Sequence, residues 1–148
     1  MAGNVFGWLT RIKDIEREYT AMRAAIDRFL RDLADGARPS PPGIRRGDAS
    51  RASLRLEGTY VVRLFSEFEQ ALKDYLEQCK IDVPYLAKNL IDRVASRVKC
   101  MSAILDNVHL VRDTRNQLVH HGEDAGNAMT IRIATSHLCT FLSRIPDW

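Results

Sequence analysis

Residues 5–33 read VFGWLTRIKDIEREYTAMRAAIDRFLRDL and hold the clearest periodicity of the chain. Apolar and aromatic residues recur there at alternating intervals of three and four: Val5, Trp8, Ile12, Ile15, Tyr19, Met22, Ile26, Phe29 and Leu33. Such spacing places all of them along one side of an α-helix. The pattern predicts a helix over about residues 4–34, roughly 45 Å long. This helix is either the longest member of a bundle or one strand of a dimeric coiled coil.

The segment after this helix has a different character. Residues 35–53 read DGARPSPPGIRRGDASRAS and contain three of the five prolines and three of the eight glycines. Proline lacks the backbone N–H and glycine costs backbone entropy, so we expect a long flexible loop here. Its four arginines outnumber its two aspartates. The loop therefore either contacts a phosphate backbone or is simply solvated.

Four more helical segments follow, separated by turn residues. Apolar residues at helical spacing run from Val61 to Cys79, from Leu86 to Val98 and from Ile131 to Leu142. Between the last two, a helix begins between Ser102 and Asp106 and ends at Gly122, a residue type suited to the position after a helix. No stretch alternates with the period of a strand. The fold class is therefore all-α, an up-and-down bundle of about five helices with a long Pro/Gly/Arg-rich loop after the first.

Composition restricts the class of protein. The chain has 148 residues, 45% of them hydrophobic and 28% charged, with a net charge of +3. These values fit a single globular domain over residues 1–148 and exclude a disordered or collagen-like chain. The three cysteines form no C-x-x-C pair, which favours a reducing, cytoplasmic setting. Neither a signal peptide nor a membrane span is apparent, and no spacing indicates a metal site or cofactor loop.

One position breaks the apolar seam of the fourth helix. Positions 104, 108, 111, 115 and 118 read Ile, Val, Val, Arg and Leu. A guanidinium in such a seam is costly to bury alone. We therefore expect Arg115 to reach a buried acid, such as a glutamate of the second helix, or a water-filled cleft, or an anionic ligand.

Polar residues close the same helix. Asn116 follows the arginine, and His120 and His121 lie in the last turn. The negative end of the helix dipole favours a protonated imidazole, and histidine can both take and give a proton near neutral pH. Two histidines at a helix end are also compatible with an ordinary solvated terminus.

Residues 110–122, LVRDTRNQLVHHG, resemble the signature of the HEPN superfamily (higher eukaryotes and prokaryotes nucleotide-binding). Active members carry an arginine, four to six residues and a histidine, with a polar residue, often asparagine, directly after the arginine. Arg115, Asn116 and His120 match this pattern late in an all-α chain, just before a terminal helix. Outside this element the resemblance rests on architecture alone.

The resemblance implies a metal-independent endoribonuclease that works as a homodimer, with two copies of the fourth helix lining one cleft. Arg115 would hold the scissile phosphate, and His120 would act as general acid or base while the ribose 2′-OH attacks. Asn116 would orient the backbone or the partner's histidine. His121 is a second choice for the proton-transfer group, because the family tolerates variable spacing.

Further expectations concern the surroundings of this site. The positive side chains of Arg112 and Lys99 are expected to attract the RNA backbone. A toxin–antitoxin or antiviral-defence role is implied, with an antitoxin or defence-system protein as partner. Toxins controlled by minimal nucleotidyltransferases carry a tyrosine two residues after the histidine, where this chain has Gly122. The alternative function is a non-catalytic HEPN-like module that dimerises or binds a nucleotide or a protein, in which Arg115 is structural.

Overall fold

The computed structural model describes residues 4–37, 39–121 and 129–146. Its helices are α1 (Val5–Ala34), α2 (Arg46–Gln78), α3 (Ala87–Arg97), α4 (Ser102–His121) and α5 (Ile131–Leu142). No strand occurs within these ranges, which confirms the prediction of an all-α bundle of five helices. None of the helices in the described part is both long enough and apolar enough to cross a bilayer.

The apolar face of α2 forms the centre of the core. This helix contacts each of the other four. Apart from Ala49 near the start of the helix, its buried residues are Val61, Leu64, Phe65, Phe68, Ala71, Leu72, Tyr75 and Leu76. The Phe68 ring lies 5.8 Å from that of Phe65 and 5.6 Å from that of Phe141 on α5, the second pair edge to face. Offset and edge-on aromatic pairs of this kind stabilise a core beyond the area that they bury.

The first helix has the predicted length, but only half of its seam is in the core. Buried residues are confined to the N-terminal half and end at Ile15. Tyr19, Ile26 and Phe29 are half-buried, and Met22 is 48% exposed. A regular apolar pattern thus continues along α1 past the point where the rest of the bundle covers it.

The prediction of a loop over residues 35–53 is wrong for its second half, because α2 begins at Arg46. The side chain of Asp48 accepts a hydrogen bond from the backbone N–H of Arg45 at 3.1 Å, which caps the new helix. Residues 49–53, ASRAS, hold no helix breaker. The connection is therefore short, with Gly36 closing α1 at a φ of 67° and Gly43 turning the chain at 82°. Residue 38 lies outside the described residues.

Beyond the core, α1 and α2 continue together as a two-helix extension, here called the arm (residues 20–37 and 39–56). Within the described residues, the apolar core includes nothing between Tyr19 and Tyr60. The Arg23 guanidinium donates to both the side chain and the carbonyl of Ser53, each at 2.8 Å. At the base of the arm, Glu57 accepts a hydrogen bond from the N–H of Ile131, the first residue of α5. The arm therefore extends past the level at which α5 begins.

Gly58 tests how closely α4 packs on α2 next to the arm. A Cβ at this position would lie 2.9 Å from Leu118 Cδ2. We expect Gly58→Leu to lower the free energy of unfolding by about 1–3 kcal/mol, because the added side chain overpacks this contact. Urea denaturation measures the difference.

Gly47 is the matched control, since a Cβ there meets nothing within 4 Å. Gly47→Ala should leave stability unchanged or raise it by up to about 1 kcal/mol through helix propensity. A Gly58→Leu protein as stable as wild type would contradict the close approach of α4.

Candidate functional site

Arg115 lies half-buried on the face of α4 that packs on α2. Its Cζ is 5.6 Å from the centre of the Phe65 ring, so the guanidinium is next to an aromatic surface. Nη1 donates a hydrogen bond of 2.9 Å to Oδ1 of Asn116. Two of the three residues of the family motif are thus in direct contact.

A buried acid, one of the three alternatives for Arg115, is not paired with it in the described part of the chain. No aspartate or glutamate there forms an ion pair with it. The Nε atom is buried and has no hydrogen-bond partner among these residues. Glu57, an acid of α2 eight residues before Phe65, accepts a hydrogen bond from the N–H of Ile131. A buried donor without a partner costs about 1–3 kcal/mol. An external acceptor would reach Arg115 through its Nη atoms, of which Nη1 donates to Asn116.

Both histidines lie in the last turn of α4, with exposed side chains. His120 follows Asn116 by four residues, so the two lie on the same side of the helix. His121 follows Asn116 by five residues, which places it about 140° away around the axis. The helix register thus groups His120 with the Arg115–Asn116 pair and leaves His121 on another side. Gly122 lies outside the described residues.

A row of polar side chains runs along α4, here called the polar stripe (His109, Arg112, Asn116 and His120). These residues are separated by three, four and four positions, which aligns them on one side of an α-helix. Arg115 is about 140° from His120 around the axis. Its hydrogen bond to Asn116 connects the buried guanidinium to the polar stripe. Asn116 is therefore the link between the inward face of α4 and its polar side.

A hydrogen-bonded chain anchors the other end of the polar stripe to α3. Asp92 Oδ1 lies 2.7 Å from His109 Nε2, and Arg112 Nη1 lies 3.0 Å from His109 Nδ1. Arginine has no acceptor, so Nδ1 must carry the lone pair and Nε2 the proton that Asp92 accepts. Arg112 also donates to Asp113 at 2.7 Å. This network fixes the guanidinium of Arg112, whose side chain is only 16% exposed.

Sequence reasoning missed Asp92 and His109. The spacing of His109, Arg112, Asn116 and His120 was a signal for one common face. The pairing with Asp92 had no such signal, because it joins two helices and depends on how α3 packs on α4.

The structure does not bring Lys99 near Arg115. Lys99 follows α3 in a left-handed conformation, with a φ of 53°, before the start of α4. Arg115 lies 13 residues beyond Ser102, or about 20 Å along the helix. Lys99 instead borders a surface cavity of about 600 Å³ together with Arg97 and Arg144. Of the two predicted substrate-binding cations, only Arg112 belongs to the polar stripe.

Two of the three thiols are poorly suited to nucleophilic chemistry. Burial raises the pKa of Cys139 and of Cys100, which disfavours the reactive thiolate. Within the described residues, no three histidine, cysteine or acidic side chains converge as metal ligands would. The chemistry of the site thus falls to the arginine, asparagine and histidine side chains of α4.

No protein-family model, curated protein or solved structure matches this chain. A function must therefore be argued from the motif of α4 and the geometry around it.

The tautomer of His109 is a direct test of the network. We expect neutral His109 to carry its proton on Nε2, because Arg112 can only donate to Nδ1. Long-range ¹H–¹⁵N NMR spectra recorded at a pH where the imidazole is neutral distinguish the two tautomers. Arg112→Gln should weaken this preference, since the glutamine amide can donate or accept. A wild-type spectrum with the proton on Nδ1 would exclude the arrangement.

Proposed function

We propose that this chain is a metal-independent endoribonuclease of HEPN type that acts as a homodimer, with the α4 helices of two copies lining one cleft. The observation that carries the proposal is the state of Arg115. Its guanidinium is half-buried, has no carboxylate partner in the described chain and hydrogen-bonds Asn116, on the side of α4 that carries His120. An arginine held in this way is well suited to bind a phosphate.

Arg115 would hold the scissile phosphate of the RNA. A guanidinium donates two parallel hydrogen bonds to phosphate oxygens. The negative charge that develops on those oxygens in the transition state would be stabilised by a cation already in place. The Phe65 ring beneath the guanidinium limits its motion and keeps water from one of its faces.

His120 would transfer the proton. The ribose 2′-oxygen attacks the adjacent phosphorus and loses its proton, while the 5′-oxygen of the next nucleotide leaves and gains one. The products are a 2′,3′-cyclic phosphate and a 5′-hydroxyl, so no metal or external nucleophile is required. One imidazole would act as the base or the acid. In a dimer, His120 of the second copy would supply the other role.

Asn116 and Arg112 would position the reacting groups. Asn116 Oδ1 accepts from Arg115, which leaves its amide nitrogen free to donate to the substrate or to the second copy's histidine. Arg112 lies four residues before Asn116 on the polar stripe, and hydrogen bonds to His109 and Asp113 fix its guanidinium. It would hold a neighbouring phosphate through the N–H donors that remain, because His109 and Asp113 use three of its five.

The family resemblance further implies a role in a toxin–antitoxin or antiviral-defence system, a cytoplasmic location and a protein partner that restrains the nuclease. Unrestrained cleavage of cellular RNA stops growth. Induction of the wild-type protein in a bacterial host should therefore arrest growth, and the His120→Ala variant should not. Equal growth of the two strains at equal expression would contradict a toxin role.

Cleavage assays test the assignment of the residues. In the presence of a chelator, the wild-type protein should cut RNA and leave 2′,3′-cyclic phosphate ends. Arg115→Ala and His120→Ala should each reduce the rate at least a hundredfold, since each removes a group used in the transition state. His121→Ala should change it little, because His121 lies off the polar stripe. His137→Ala, a change on α5, is the control for the removal of a histidine.

The non-catalytic alternative predicts a different set of results. There the wild-type protein leaves RNA intact, and Arg115→Ala lowers the melting temperature because the guanidinium no longer packs on Phe65. A wild-type protein that does not cleave RNA would contradict the proposed nuclease activity. Equal cleavage by the wild-type protein and both alanine variants would contradict the assignment of Arg115 and His120 to the site.

A further inference from the structure

The excess positive charge of the chain is located on the arm. Residues 20–56 contain eight arginines and four aspartates, without a lysine or a glutamate. The rest of the chain holds 14 basic and 15 acidic residues. The arm, which excludes residue 38, therefore carries a net charge of +3, while the chain outside residues 20–56 is nearly neutral.

Internal ion pairs take up only part of this charge. Asp27 pairs with Arg23, and Asp48 pairs with Arg51. Three further arginines, Arg28, Arg31 and Arg46, are exposed. Within the described residues, their side chains form no hydrogen bond or ion pair. These guanidinium groups are available to an external anion.

The base of the arm is next to the end of α4 that carries His120. Arg115 lies against Phe65, whereas Leu118 lies against Gly58. The two helices thus run in opposite directions where they pack. His120 is two residues beyond Leu118, and the arm starts two residues beyond Gly58 in the same direction. The α1 part of the arm is about 22 Å long, enough to lie along several consecutive phosphates.

We infer that the arm binds the phosphate backbone of single-stranded RNA and leads it to the polar stripe of α4. This inference rests on the proposed function and adds to it the surface that holds the substrate outside the cleft. Arginine suits the task, because its planar fork binds phosphate oxygens in pairs and remains charged at any physiological pH. The binding would not depend on sequence, since only the backbone is contacted.

An anionic partner fits the arm better than a second copy of the arm does. Two arms side by side would bring two net charges of +3 together. Leu54, 74% exposed, lies two residues from half-buried Leu56 and so faces the other side of α2. Single exposed apolar residues of this kind are ordinary on protein surfaces.

Anisotropy measurements with a labelled 20-nucleotide single-stranded RNA test the inference. They use the full chain carrying His120→Ala, so that the RNA stays intact, in chelator at 50–200 mM salt. The arm variant is Arg28→Gln/Arg31→Gln/Arg46→Gln. The control, Lys13→Gln/Lys88→Gln/Arg132→Gln, removes three exposed charges from the bundle.

The arm variant should bind roughly ten- to a hundredfold more weakly at 100 mM salt. The slope of log K against log salt should become shallower by about 2, or about 0.7 for each phosphate that an arginine no longer neutralises. The control variant should bind the RNA with an affinity within about twofold of that of the His120→Ala protein from which both variants are made. Equal weakening in both variants would overturn the inference, because it would reflect net charge alone.

Two further outcomes separate this inference from the proposed function. Arm-dependent RNA binding by a wild-type protein that does not cleave would reject the nuclease and support the arm as an RNA-binding surface. Absence of RNA binding by the His120→Ala protein would overturn the inference, even where the wild-type protein cleaves RNA.

Sedimentation velocity tests the alternative that the arm binds a second copy of the chain. If the arm variant dissociates a dimer and still binds RNA like the parent, the arm is a subunit interface and the inference is overturned.

Discussion

Burial of one face of α2 organises everything else in this protein. Each of the other four helices packs on α2, so their relative positions depend on its side chains. Phe68 joins the core to α5, and Phe65 lies beneath Arg115. The aromatic row that excludes water from the interior therefore also supplies the surface on which a guanidinium is held. Site and core are adjacent because they share this helix, and any repacking around Phe65 would move Arg115.

Much of the fold was predictable, because hydrophobic periodicity directly reports which face of a helix is buried. The limits of α1 and α3 agree with the pattern to within a residue or two. The start of α2 was not predictable in the same way. Residues 46–53 carry few apolar side chains, and their helical conformation depends on the Asp48 cap and on pairing with α1. Periodicity also could not tell that the seam of α1 leaves the core after Ile15, since an apolar row looks the same whether or not neighbours cover it.

The candidate site could be proposed from the sequence only where its residues lie within one helix. Arg115 was recognisable as a cation in an apolar seam, and Asn116 and His120 belong to the same short motif. His120 is preferred over His121 from the motif alone, and because α4 remains helical through residue 121, His120 lies on the side of Asn116 and His121 on another. The bond between Asp92 and His109 joins residues 17 positions apart on two helices. Such a contact is a product of tertiary packing, and neither residue alone indicates it. Lys99 has a residue type suited to binding phosphate, but the fold places it before the start of α4, at the end opposite His120.

The continuity of α1 and α2 from the core into the arm has a thermodynamic consequence. A basic loop must give up many backbone conformations when it wraps a polyanion, at about 1–2 kcal/mol for each residue that becomes fixed. In the arm, that backbone entropy is already given up on folding, because both helices extend without interruption from the buried seam that ends at Ile15 and Val61. Attraction between the arm and a polyanion would therefore be offset mainly by the ordering of arginine side chains. The arm is a preorganised rod rather than a flexible tail, and its orientation relative to α4 is set before any ligand arrives.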